Sequence, residues 1–396
     1  MEDGLAVTAW RMAGTFFRIG ATSYGGPAIV ARIREVTVLR KRWLTDDEFR
    51  ESLAFAQMLP GAIATQTAAH IGWRLHRGTG VLLAMLAYNS PAFLLMLGLS
   101  AAYFHFEGLP AVATAFRGLG AAVVAIVVQS LLSMAQPALR NWQGVAIAAL
   151  AAVGFFGGAD TLLVLLAAAL AGILVGLAWP APGEPAPDPP QPGPTASYRR
   201  TLLATTAVGL AFVMALAASR LVSPRFPALG VTMAKINLVA FGGGYTAVAF
   251  MFQEAVHNAA HAWLTPKEFI DGLALGQITP GPVIITATFI GYKVGGVLGS
   301  IFATVCIFLP SSLLLVLLAP HYARLRHLRA VQDAVGGLLA AFIALLMHVL
   351  WAVAKSAFLG PWDVALAAIA ITALLLRVNV VWVVLASVLV SLLLFR

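Results

Sequence analysis

The sequence predicts an all-α polytopic membrane protein of two homologous halves in inverted topology, with broken or re-entrant helices and about ten hydrophobic spans. Three observations carry that reading. Sixty per cent of the 396 residues are hydrophobic and ten per cent charged, a balance outside the soluble range. The chain repeats itself about 220 residues apart. Its basic residues also change sides between the copies, as a membrane inversion requires.

The duplication is read residue by residue. Phe17-Arg18-Ile19-Gly20, followed by Ser23-Tyr24-Gly25-Gly26-Pro27, returns as Ala234-Lys235-Ile236-Asn237, followed by Ala240-Phe241-Gly242-Gly243-Gly244. Trp43-Leu44-Thr45 with Glu48 returns as Trp263-Leu264-Thr265 with Glu268. Gln57-Met58-Leu59-Pro60-Gly61 returns as Gln277-Ile278-Thr279-Pro280-Gly281. Pro91 and Arg74 have counterparts in Pro310 and Lys293. Residues 1–180 form the first repeat, 181–200 a proline-rich solvated linker, and 201–396 a connecting helix plus the second repeat. The first half is basic between Arg32 and Arg50, where its copy has only Lys267; the bias reverses at Arg324-Leu325-Arg326. Basic loops stay cytoplasmic, so the two halves face opposite ways.

Several function classes fall away. The lone Cys306 excludes an intramolecular disulfide or a cysteine metal cage. The net charge of +9 suits topological loops better than nucleic-acid binding. Arg11, Arg18 and the Gly25-Gly26-Pro27 break interrupt any cleavable signal core, so the helices themselves direct insertion. No phosphate-cradling loop, serine elbow or zinc-protease motif is present; His257 and His261, four apart, lack the glutamate such a motif needs. The chain is not expected to be an enzyme, and it calls for no metal or cofactor.

The chemistry is expected where the helices break. Proline removes a backbone donor and glycine frees the chain from helical geometry, and such breaks are tolerated only where protein or water meets them. Helices starting at Gly25, Gly26 and Pro27, at Pro60 and Gly61, at Gly242, Gly243 and Gly244, and at Pro280, Gly281 and Pro282 would aim free N–H groups and a positive dipole end inward, which favours an anion. Arg18 and Lys235, matched cations within membrane segments, would add positive field. Gln57, Gln277, Ser23, Asn237, Tyr245 and Thr279 are neutral donors suited to an ion that must be released again. Glu48, Glu51, Glu268 and Asp271 flank the Pro-Gly segments and are the carboxylates in reach for proton coupling; capping or pairing with neighbouring bases is the plainer role for all four.

On these residues, above all Phe241-Gly242-Gly243-Gly244-Tyr245 and Gly276-Gln277-Ile278-Thr279-Pro280-Gly281-Pro282, the sequence resembles the chromate ion transporter family in its long, two-domain form. The resemblance covers roughly 8–180 and 225–396. It implies a multi-pass inner-membrane protein that exports chromate, a tetrahedral divalent oxyanion and sulfate analogue, driven by the membrane gradient through alternating access. Its partners would be the oxyanion and the lipid bilayer. A sulfate or other anion carrier, an uptake system and a passive anion channel stay open on the residues alone, as does a homodimer.

Overall fold

The computed structural model describes residues 7–24, 26–106, 110–179, 195–258, 260–322 and 328–394. Gly25, most of the proline-rich linker (180–194) and most of the basic loop (323–327) lie outside them. The described residues form fifteen α-helices and no strand. The first half runs α1 (Ala9–Thr22), α2 (Gly26–Arg34, continued by a π-helical turn Glu35–Arg40), α3 (Asp46–Met58), α4 (Ile63–Phe106), α5 (Pro110–Ala138), α6 (Trp142–Phe156) and α7 (Thr161–Ala178). After α8 (Thr195–Ala218), which begins inside the stretch read as linker, the order repeats. It runs α9 (Phe226–Val239), α10 (Gly244–Phe252, with a π-turn Gln253–His257), α11 (Pro266–Ile278), α12 (Thr286–Leu318), α13 (Arg329–Ala357), α14 (Pro361–Leu375) and α15 (Val380–Leu394).

Local chemistry sets these boundaries identically in both copies. Thr45 and Thr265 cap α3 and α11 with reciprocal capping boxes: the threonine hydroxyl accepts from the N–H of Glu48 or Glu268, whose carboxylate accepts from the threonine N–H. Both helices stop at a Pro-Gly pair. Gly61 (φ 102°) and Gly281 (φ 116°) occupy a region closed to side-chain-bearing residues, so glycine is required at both.

α4 and α12 each double back rather than run straight. His76 and Arg77 (φ/ψ −139°/19° and 55°/−140°) match Gly295 and Gly296 (−159°/32° and 59°/−143°). A Cβ added at Gly72 would lie 2.2 Å from Gly80 O, and one at Gly291 2.3 Å from Gly299 O, so the two arms touch backbone to backbone. In α12 the Ser300 hydroxyl donates to Thr288 O across the same turn.

The short arm of α4 returns to where α3 began. Arg74 pairs with Glu48 and Glu51 at 2.8 Å, and Lys293 pairs with Glu268 in the second half. Each pair clamps the open end of a helical hairpin. With 13 residues in α3 and in α11, the Pro-Gly tips lie about 20 Å from their clamps at 1.5 Å per residue. That depth reaches the middle of a hydrocarbon core about 30 Å thick.

Reciprocal contacts define the symmetry. α5 packs on α14 and α15, while its repeat-mate α13 packs on α6 and α7. Gly118 meets Ser387 O, and Gly337 meets Ala168 O, where an added Cβ would be only 2.2 and 2.1 Å away. Such an exchange makes the relation two-fold. The long arms of α4 and α12 run antiparallel: the cavity beside Leu82 is closed by Val316, and the one reaching Phe93 by Ile301. The axis therefore lies across the helices, and the halves are inverted. Among the described residues, six helices are long and apolar enough to cross a membrane, and four shorter apolar ones accompany them. Leu150, Leu163, Leu177 and Leu389 point outward, as a lipid-facing surface requires.

Gly80→Val would drive Cβ to 2.0 Å from Gly72 O, whereas Gly98 has nothing within 4 Å. Gly80→Val is expected to cost more than the ~1–3 kcal/mol of ordinary overpacking, abolishing a monodisperse peak on size-exclusion chromatography. Gly98→Ala should elute and melt like the parent protein.

Candidate functional site

The two hairpin tips cross the breaks of the opposite halves. Gly61 N–H donates to Ala240 O (2.8 Å), and Gly281 N–H donates to Ser23 O (3.0 Å). Gly61 and Gly281 are repeat equivalents, and so are Ser23 and Ala240. Around this crossing the helix starts converge. A Cβ at Gly243 would lie 3.6 Å from Ile63, the first residue of α4, and one at Gly244 3.6 Å from Val283, at the head of α12. The first turn of α10 thus sits between the other two starts, with Gly242 (φ 86°) and Gly243 (φ 117°) making the approach. Pro60, Gly61, Pro280, Gly281 and Pro282 are all buried there. Gly26 and Pro27 open α2.

Neutral polar groups line the convergence. Asn237 is buried; its Oδ1 accepts from the N–H of Ser311, just after Pro310 within α12, and its Nδ2 has no partner. Gln66 Nε2 donates to the Ser311 hydroxyl at 2.5 Å and leaves Oε1 unpartnered. Both groups face Gly61: a Cβ there would be 2.9 Å from Asn237 Nδ2 and 3.0 Å from Ser311 Oγ. On the other flank Tyr245 Oη donates to Gln277 Oε1 (3.3 Å), and Gln277 Nε2 is buried without a partner. Ser23 Oγ is likewise buried and unpartnered. A buried donor without an acceptor is costly, so several together mark a place prepared for something else.

The second crossing carries the Ser23 hydroxyl but otherwise less polar neighbours. Gly281 faces Ala92, the counterpart of Ser311. Gly20 stands where the second half has Asn237 and presses on Tyr88 O. Thr279 turns its hydroxyl back to Leu275 O, with Met96 Sδ at 3.9 Å. Two-fold geometry therefore carries a one-sided site. Ser311 was not singled out in the sequence; the signal was there, in a polar residue following a matched proline whose copy is followed by alanine.

The charged candidates are placed differently. Lys235 Nζ is 2.6 Å from Glu254 Oε1, whose other oxygen accepts from Asn258. Arg18 is exposed, because the buried stripe of α1 is Met12, Thr15, Phe16, Ile19 and Gly20. Gln57 is also exposed, off the Phe49-Ser52-Phe55-Ala56 face of α3, whereas everything in α11 from Phe269 to Gln277 is enclosed. The structure thus brings Asn237, Gln277, Tyr245 and the glycine breaks together, and leaves Arg18 and Gln57 outside the buried cluster. Asp271 is buried, with Tyr103 Oη donating to it at 2.8 Å; its repeat-mate Glu51 pairs with Arg74 instead. His257 packs at a tilt against Phe252, and His261 lies 3.3 Å from the Thr232 hydroxyl. No group of three or more His, Cys, Asp or Glu side chains is placed to hold a metal among the described residues.

Glu48 and Glu268 sit at the hairpin mouths in their capping boxes. The Thr45 N–H, then Arg74, hold Glu48 below the ordinary carboxylate value. At Glu268 burial is the largest influence and pushes up, but Lys293 and Thr265 together outweigh it and leave the carboxyl lowered. A lowered folded value means that the clamps contribute fully above the unfolded value near 4.5 and weaken as pH falls through the folded one. Glu48→Gln/Glu268→Gln should therefore melt below the parent at pH 7, with the gap closing only as pH falls below about 4.5 in a thermal scan.

Comparison with known proteins agrees with this architecture. The profile of a family described as "Chromate transporter" matches residues 10–173 and again 227–392. An uncharacterized transporter of Methanocaldococcus jannaschii is 32% identical over 94% of this chain and 91% of its own. A chromate transport protein of Cupriavidus metallidurans is 34% identical over 91% of this chain and 86% of its own. One from Pseudomonas aeruginosa is 35% identical over 75% and 69%. No solved structure matches.

Proposed function

We propose a function from one premise: this chain belongs to the chromate transporter family. It is a multi-pass membrane protein, and its cargo on this reading is chromate, exported across the inner membrane as a secondary active transporter. The observation that carries the site is the pair of buried, unpartnered amide donors, Asn237 Nδ2 and Gln277 Nε2, beside three converging helix starts. Neutral donors and dipole ends can strip a dianion of water without holding it as tightly as several cations would. Lys235, paired with Glu254, brings no free charge to the site on this reading. Sulfate matches chromate in charge and shape and is the expected competitor.

Alternating access follows from the symmetry. The site lies where the two inverted hairpins meet, so rocking one half against the other exposes it to each side in turn. Asp271 is the coupling group on this reading, a carboxyl enclosed in the membrane domain with a tyrosine as hydrogen-bond partner.

The test is chromate uptake into inverted membrane vesicles, with sulfate as competitor and the proton gradient present or collapsed. Gradient-dependent, sulfate-sensitive accumulation supports the reading; flux that never exceeds equilibrium turns it toward a channel. Asn237→Leu and Gln277→Leu should each lower uptake about tenfold or more, the scale of one lost charge-assisted hydrogen bond, with insertion unchanged. Asp271→Asn should abolish the response to the gradient while chromate–chromate exchange continues.

A further inference from the structure

Two first-half helices that run to the crossing, α1 and α3, carry polar outward stripes that their copies lack. On α1 the exposed residues Arg11, Gly14, Arg18 and Thr22 fall at i, i+3, i+7 and i+11, one stripe of a helix. Trp10 and Phe17, one position back, form the apolar edge beside it. On α3, Asp47, Arg50 and Gln57 are exposed at i, i+3 and i+10, with half-buried Ala54 between them. The second half differs in both helices. α9 exposes Val231 and Leu238, and its Lys235 turns to Glu254. On α11, Ile270, Ala274 and Gln277 hold the places of Arg50, Ala54 and Gln57, and all three are buried.

These stripes reach deep. Gln57 comes three residues before Pro60, and Arg18 five before Ser23, whose carbonyl accepts from Gly281 at the crossing. Both therefore stand within about 8 Å of the crossing, measured along their helices at 1.5 Å per residue. Hydrocarbon satisfies neither an amide nor a guanidinium at that depth. An arginine can stretch its charge toward the headgroups, but the short Gln57 side chain, next to the buried tip, cannot. Neither side chain has a hydrogen-bond or ion-pair partner among the described residues. Water is the partner that both require.

We propose that the α1 and α3 stripes line a water-filled vestibule, open to the cytoplasm in this conformation, through which small inorganic anions reach the buried donors at the crossing, with Arg18 as the charge that draws them to depth. The α3 stripe starts at the hairpin mouth, near the Arg74–Glu48 clamp, on the basic side of the first half that stays cytoplasmic. It ends at the tip whose Gly61 faces Asn237 Nδ2. A water-filled cleft with low-dielectric walls focuses the field of an unpaired cation and concentrates counter-ions along it. The copy of this module, with α11 enclosed and Lys235 tied to Glu254, is shut toward the other side, so the two together describe an inward-open carrier. The identity of the ion rests on the carrier reading above; the vestibule does not.

The experiment labels single-cysteine variants of the full chain in inside-out and right-side-out vesicles, using membrane-impermeant methanethiosulfonates, one anionic and one cationic. The parent, whose lone Cys306 is buried, is the blank. Gly14→Cys, with open space around it, and Gln57→Cys are expected to react from the cytoplasmic face at least tenfold faster than lipid-facing Leu163→Cys or enclosed Gln277→Cys. At Gln57→Cys the anionic reagent should outpace the cationic one, and adding Arg18→Gln should remove that lead. Rates no faster than at Leu163→Cys, or reaction from the outer face alone, would overturn the vestibule. Cross-linking between copies through Gln57→Cys in place of labelling would assign this face to a second copy and overturn it too. No lead for the anionic reagent, or a lead that survives Arg18→Gln, would overturn the anion route. Labelling needs no flux, so a vestibule that labels as expected in vesicles that accumulate no chromate would sink the chromate reading alone.

Discussion

Two backbone hydrogen bonds, Gly61 N–H to Ala240 O and Gly281 N–H to Ser23 O, hold the centre of this protein. Each joins the tip of a re-entrant hairpin in one half to the unwound break in the other. At the middle of a bilayer no water is at hand to satisfy an open backbone, so every break must find its partner within the protein. Here the breaks satisfy one another crosswise. The positive φ of both glycines, the burial of both prolines and the inversion of the halves all serve that arrangement.

The rest of the structure supports the crossing from a distance. The Arg74–Glu48 and Lys293–Glu268 clamps fix the hairpin mouths. The backbone contacts of Gly72 with Gly80 and of Gly291 with Gly299 turn the chain tightly back into the membrane. The exchange of α5 and α13 between halves joins helices of both in the largest core cluster. The bidentate Arg117–Asp363 pair links α5 to α14, and without Arg117 the buried Asp363 would keep only backbone donors such as the Leu359 N–H.

Symmetric backbone and asymmetric side chains divide the labour. Both crossings have the same hydrogen bond, but they carry different polar groups, because Asn237 and Ser311 stand where the first half has Gly20 and Ala92. A single anion on a pseudo-two-fold axis needs no matched set of ligands, and two full sets would hold a dianion too strongly to let it go. The same logic separates Glu51, neutralised at a hairpin mouth, from Asp271, enclosed with Tyr103.

Much of this was legible in the residues. The membrane class followed from apolar composition, the duplication from direct repetition, and the inversion from the exchange of basic residues between loops. Helix breaks followed from Gly-Gly and Pro-Gly pairs, and the capping boxes from Thr45/Glu48 and Thr265/Glu268, because these are local consequences of backbone geometry. Tertiary structure alone decided which polar groups meet. Arg18 and Lys235 are equivalent in sequence, yet one faces outward and the other finds Glu254. Gln57 and Gln277 are equivalent too, yet α3 leaves one exposed and α11 buries the other. Those outcomes depend on what neighbouring helices place against each face, and a repeat in the chain carries no record of how its two copies are packed.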